Sequence, residues 1–131
     1  MVHFGYTICY VENVEDTLSF FNKAFSLKQS FITDEKDYGE LKTGATTLAF
    51  ASHVLGQSHL SGGYISCSTS DKPLGIEIAL VTTDVTTYHS LAIQFGAQEL
   101  KSPELKPWGQ TISYLRCPAG ILIELCTPIE G

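Results

Sequence analysis

One pattern of elements runs through this chain twice, and that repetition limits its folds more than any single motif does. Residues 2–12 alternate in polarity and are rich in β-formers, which predicts a strand. "NVEDTLSFFNKAFS" then switches to helical spacing. Asn13 is placed to cap that helix, Glu15 and Asp16 suit the positive end of its first turn, and Leu18, Phe21 and Phe25 form one face. Short strands are predicted over 27–33, 38–43 and 46–51, the last two joined by the Gly-containing "KTGA". After a Gly- and Ser-rich stretch at 53–74 the order returns. "GIEIALVTT" reads as a strand. "DVTTYHSLAIQFG" reads as a helix capped by Asp84, with Val85, Tyr88, Leu91, Ala92 and Phe95 as its apolar face and Gly96 as its stop. Strands follow over 97–101, 110–117 and 120–127.

The order is βαβββ, twice. A single βαβββ module leaves one face of its sheet bare, so two modules side by side build a cup. The expected fold class is therefore α+β: one domain of two βαβββ modules, 1–52 and 75–131, forming a curled mixed sheet. The segment 53–74 is long for a loop in so small a domain and is expected to be a linker that doubles as a flap.

Composition narrows the partners. With a net charge of −6 and no cluster of Lys or Arg, the chain lacks the basic footprint that nucleic acid or an anionic membrane surface demands. No leader-like N-terminus and no apolar run of membrane-spanning length are read. The four cysteines (Cys9, Cys67, Cys117 and Cys126) lie far apart, with no CxxC. Cys9 and Cys126 look like small core residues. A cytoplasmic protein is expected.

Two carboxylates stand out. Glu124 interrupts the apolar run of "CPAGILIELC" and Glu77 that of "GIEIALV". A buried carboxylate costs several kcal/mol unless it is paired. Strand alternation alone leaves two placements open: into the cup, or out to solvent.

Three stretches in order resemble the vicinal oxygen chelate superfamily, which includes glyoxalase I, extradiol dioxygenases, fosfomycin-resistance thiol transferases and bleomycin-resistance binding proteins. They are "YVENVEDTLSFFNKAFSL", "IEIALVTTDV" and "KPWGQTISYLRCPAGILIEL". In the last, Trp108, Gly109, Pro118, Gly120 and Glu124 keep the family's spacing, while Cys117 replaces its Asp. The resemblance implies that the first and last strands of each module send ligands into the cup. Those positions fall on Tyr6, Thr47, Glu77 and Glu124; the family usually has His where Tyr6 and Glu77 stand. It also implies a homodimer and makes Trp108, followed by Gln110, an aromatic wall for a ligand; the residues alone also allow Trp108 to plug the mouth of the cup as core.

Tight transition-metal sites need about three imidazole or carboxylate ligands. Glu77 and Glu124 alone would hold at most a weakly bound divalent ion that keeps several waters. Without metal, the two carboxylates should repel, and one should carry a raised pKa or accept hydrogen bonds from Tyr6 and Thr47. His53 and His3 fall outside the ligand positions and read as solvated. The leading expectation is a small-molecule binding protein of the bleomycin-resistance type, with no cofactor. The alternative is a divalent-metal lyase or dioxygenase of the glyoxalase type using Glu77 and Glu124. A third reading, an interaction domain with a self-filled cup, fits two interior carboxylates poorly.

Overall fold

A computed structural model describes residues 1–129. The first half runs β1 (Tyr6–Val11), α1 (Val14–Phe25), β2 (Gln29–Ile32), β3 (Tyr38–Leu41) and β4 (Thr47–Ser52). A short helix, α2 (His53–His59), follows. The second half runs β5 (Glu77–Val81), α3 (Val85–Gln94), β6 (Gln98–Leu105), β7 (Thr111–Arg116) and β8 (Leu122–Cys126). The predicted caps form. Asn13 accepts the Asp16 N–H at 2.8 Å, and Asp84 accepts that of Thr87 at 3.3 Å.

The two halves share one topology. Strand order is β1-β4-β3-β2 in one sheet and β5-β8-β7-β6 in the other, with the first strand parallel to the last in each. A ladder does not run from β1 to β5, so the expected curled sheet is two four-stranded sheets set side by side. Each sheet buries one face under helices. Phe50 packs on Phe21 of α1, and Ile123 and Leu125 lie under α3 in the same continuous core. Among the described residues, no helix is long and apolar enough to cross a membrane.

The buried stripe of α3 differs from its expected face. Val85, His89 and Ala92 are buried, while Phe95 is partly exposed. His89 bridges helix and sheet: its Nε2–H donates to Glu99 at 2.7 Å, and Nδ1 lies 2.8 Å from the Ser113 hydroxyl. This bonded imidazole, and not the Phe95 ring, meets the sheet.

The segment after β4 is more ordered than a plain linker. Ser52 caps α2 through the Leu55 N–H at 3.1 Å. His53 is not solvated: Nδ1 lies 2.7 Å from the Tyr64 hydroxyl and Nε2 3.2 Å from that of Ser66. Tyr64 stacks on Tyr10 with ring centroids 4.8 Å apart. Further on, Arg116 donates to the carbonyls of Cys67 at 2.7 Å, Ser70 at 3.0 Å and Asp71 at 3.3 Å. One cation thus ties three carbonyls of the segment to β7.

Gly120 makes this docking possible. It has φ +88°, and a Cβ there would overlap the Cys67 carbonyl. Gly44 also has a left-handed backbone, φ +94°, but faces open space. Gly44→Ala should therefore cost only backbone strain, about 1–2 kcal/mol. Gly120→Ala adds overpacking and should cost roughly 2–5 kcal/mol. Urea midpoints of the two variants check the ordering; equal losses would mean that the carbonyl contact is unimportant.

Candidate functional site

The parallel register of β5 and β8 decides what the bare face of the second sheet carries. Glu77 pairs with Leu122 and Ala79 with Glu124, so both carboxylates emerge on the face away from α3. They come within hydrogen-bonding reach of each other. Ile123 and Leu125 alternate to the opposite side and are buried.

Three further groups complete the cluster. The Tyr114 hydroxyl, directly across the β7–β8 ladder, donates to Glu124 at 3.0 Å. Cys126, two residues along β8, stands on the same face, where the Glu124 carboxylate helps raise its thiol. Thr47 joins Glu77 in the wall of an open hollow of about 330 Å³ beside the start of β5. The expected hydroxyl donors, Tyr6 and Thr47, are not the ones that serve the pair; Tyr114 is. Tyr6 is opposite Thr47 in the β1–β4 register, on the bare face of the first sheet, and is 57% exposed.

Electrostatics follow from this packing. Partial desolvation raises the pKa of Glu77, and the hydrogen bond and negative charge of Glu124 add to the rise. Tyr114 is raised chiefly because its proton is committed to Glu124. Cys126 is raised by burial first and then by Glu124. Glu77, Tyr114 and Cys126 each hold their proton more tightly than the free side chain does. Tyr114 supplies a donor and the two carboxyl groups supply acceptors on one face.

The bare face of the first sheet repeats part of this chemistry. Tyr38, on the third strand of its module as Tyr114 is on that of the second, donates to Glu40 at 2.6 Å. Burial and that hydrogen bond raise the phenol. Phe31 lies 6.0 Å from the Tyr38 ring and is 45% exposed.

Trp108 lies elsewhere. It is 64% exposed in the β6–β7 turn, so it is not core. Its Nε1–H donates to Gln110 at 2.8 Å, and Gln110 donates onward to the Thr127 carbonyl at 2.7 Å. This pair braces the end of the sheet and is not bonded to either carboxylate. Among the described residues, no group of three or more His, Cys, Asp or Glu is placed to hold a metal ion.

No protein-family model and no curated protein matches this sequence. Solved structures do match its fold. A glyoxalase-related enzyme from Fulvimarina pelagi superposes with a TM-score of 0.82 at 16% identity, over 98% of this chain and 89% of that one. A glyoxalase/bleomycin resistance protein/dioxygenase family enzyme from Burkholderia phytofirmans gives 0.77 at 15%, over 94% and 96%. A member of the same superfamily from Sphaerobacter thermophilus gives 0.71 at 20%, over 98% of each chain. The chain therefore has the glyoxalase/bleomycin resistance protein/dioxygenase fold, that of the vicinal oxygen chelate superfamily. At these identities the likeness is one of fold alone.

The raised proton affinity of Glu77 has a consequence for stability. Between the ordinary Glu value, about 4.3, and its higher native value, the folded chain binds more protons than the unfolded one. Stability from this group is thus whole in acid and is lost as pH rises through the native value. Glu77→Gln should raise the melting temperature at pH 7.5. Solvent screening at this accessible position keeps the gain to about 1–3 °C. Thermal scans should show the gain vanishing near pH 4; a gain at pH 4 but none at pH 7.5 would contradict the assigned direction.

Proposed function

We propose that this protein binds a small molecule on the bare faces of its sheets, recognising a cationic or hydroxyl-rich group at Glu77 and Glu124, without a tightly held transition metal. The observation that carries this reading is the contact between the two carboxyl groups, with Tyr114 donating to one of them. A cation placed there would relieve the repulsion that favours a proton on Glu77. Its affinity would then rise with pH as Glu77 gives that proton up. The donor set, two carboxylates with a phenol and a thiol that hold their protons, lacks the imidazoles that tight Zn or Ni sites use. Four free thiols suit a reducing compartment, and we place the protein in the cytoplasm.

The second reading is a divalent-metal enzyme of the glyoxalase kind. It is favoured by the same adjacency, because paired carboxylates are what a hard ion such as Mg or Mn accepts, with waters filling its remaining positions. A thermal-shift panel of amines, polyols and divalent ions separates the two. Ligand at a hundred times its Kd should add about 2.7 kcal/mol of stability. We expect amines or polyols to stabilise the wild type, Glu124→Gln to lose that response, and Ni and Zn to give no specific shift. Stoichiometric Ni or Zn in the purified protein, lost on Glu124→Gln, would overturn the metal-free reading.

A second copy of the chain is the partner we infer for these faces. Apolar side chains stand exposed on both sheets, Tyr6 at 57%, Phe31 at 45% and Val81 at 64%. Patches of this kind mark interaction surfaces. Light scattering in solution should give twice the 14.3 kDa chain mass. Val81→Arg should shift the protein toward monomer; a wild-type monomer at micromolar concentration would exclude the dimer.

A further inference from the structure

β1 and β5 are the inner edges of their sheets, and because no ladder joins them a gap is left along the seam. It holds a pocket of about 270 Å³. Ile8 from one module and Ile76, Ile78 and Leu122 from the other supply aliphatic walls. Tyr10 and Tyr64, stacked as described, add an aromatic wall, and Ile65 and Leu74 bring the inter-module segment over it. No charged side chain takes part in the lining. Ile78 alternates with Glu77 and points the other way, and neither Glu77 nor Glu124 is in the wall.

The covering segment is fastened at two points. Arg116 grips the Cys67, Ser70 and Asp71 carbonyls, and the His53–Tyr64–Ser66 hydrogen bonds hold the other end. Gly56 lets the aromatic pair seat closely: a Cβ there would come within 2.8 Å of the Tyr10 ring and 2.9 Å of the Tyr64 hydroxyl. The roof is therefore built into the fold.

We propose that this seam pocket is a separate binding site for a small uncharged molecule, either one aromatic ring carrying a short alkyl group or an aliphatic chain of similar bulk. Apolar cavities of about 150 Å³ already admit benzene, so the volume suits this size. Ile8, Ile65 and Ile76 are 45%, 70% and 76% exposed, and an apolar occupant would take that surface out of water. The polar groups of the wall are neutral. Burial, then the neighbouring Cys67 and Cys117, push the Cys9 thiol up to about 12, and burial also raises Cys67 and Tyr64. A charged ligand would find no counter-charge, whereas a single hydroxyl could bond to Thr7 or Tyr64.

The test is an amide NMR titration of the full chain with 4-ethylphenol and, separately, with 4-ethylbenzoate as a charged match. We expect saturable shifts at residues 7–10, 64–67 and 76–78 with 4-ethylphenol, and binding at least tenfold weaker with the benzoate. Ile8→Trp, which fills the pocket from a half-exposed position, should weaken 4-ethylphenol at least tenfold. Ile65→Glu, at a more exposed site, should do the same and serves if Ile8→Trp does not fold. Absence of saturable shifts at millimolar probe, equal affinity for the benzoate, or undiminished binding by a folded variant would overturn the proposal. So would shifts centred on Tyr114 and Glu124 that spare residues 7–10 and 64–67, which would instead assign the probe to the carboxylate site.

Discussion

Parallel pairing of each module's first strand with its last is the constraint on which the rest of this structure rests. Two strands can run parallel only if a crossover carries the chain from one end of the sheet to the other. In each module the helix and two further strands make that crossover. The helix must then cover one face, so the opposite face stays bare. Register along the parallel pair selects which residues stand on that bare face. In the second module it brings Glu77 and Glu124 together; in the first, the same pairing sets Tyr6 opposite Thr47. A slip of one residue would send Glu124 into the core and Ile123 into water.

Much of this architecture was legible because its signals are local. The change from two-residue to 3.6-residue periodicity marks each strand–helix junction, and Asn13 and Asp84 cap the helices where their side chains predict. What was missed depends on context. The α2 sequence, "HVLGQSH", has one Gly, little apolar periodicity and only Ser52 as a start signal. His89 was passed over because imidazole counts as polar in a periodicity search. The spacing of Val85, His89 and Ala92 would have been enough to place it on the buried stripe.

The candidate site divides along the same line. Alternation and the resemblance together singled out Glu77 and Glu124, but whether they touch depends on β5–β8 register. Tyr114 was within reach of sequence reasoning. A hairpin turning through "CPAG" sets Leu115 opposite Ile123, and hence Tyr114 opposite Glu124. Arg116 and the seam pocket were not within reach. Both depend on where the 53–74 segment lies, and that is settled by scattered carbonyl hydrogen bonds that leave no pattern in the residues that supply them.

Asymmetry between the modules bears on what this fold is doing here. The first module keeps a Tyr–Thr pair on its parallel strands and holds a tyrosine–glutamate contact, Tyr38–Glu40, on β3. The second brings two carboxyls together where an apolar pair would be more stable. Like charges close together oppose folding, and among the described residues no Lys or Arg is bonded to either to offset them. Structural need does not account for this, because the ladder and the core beneath it are complete without any particular side chain on the bare face. Groups whose proton affinities are displaced in this way concentrate where a protein binds or transforms something. A stability cost confined to one module, at the position where the two sheets meet, is what the proposed ligand site would require.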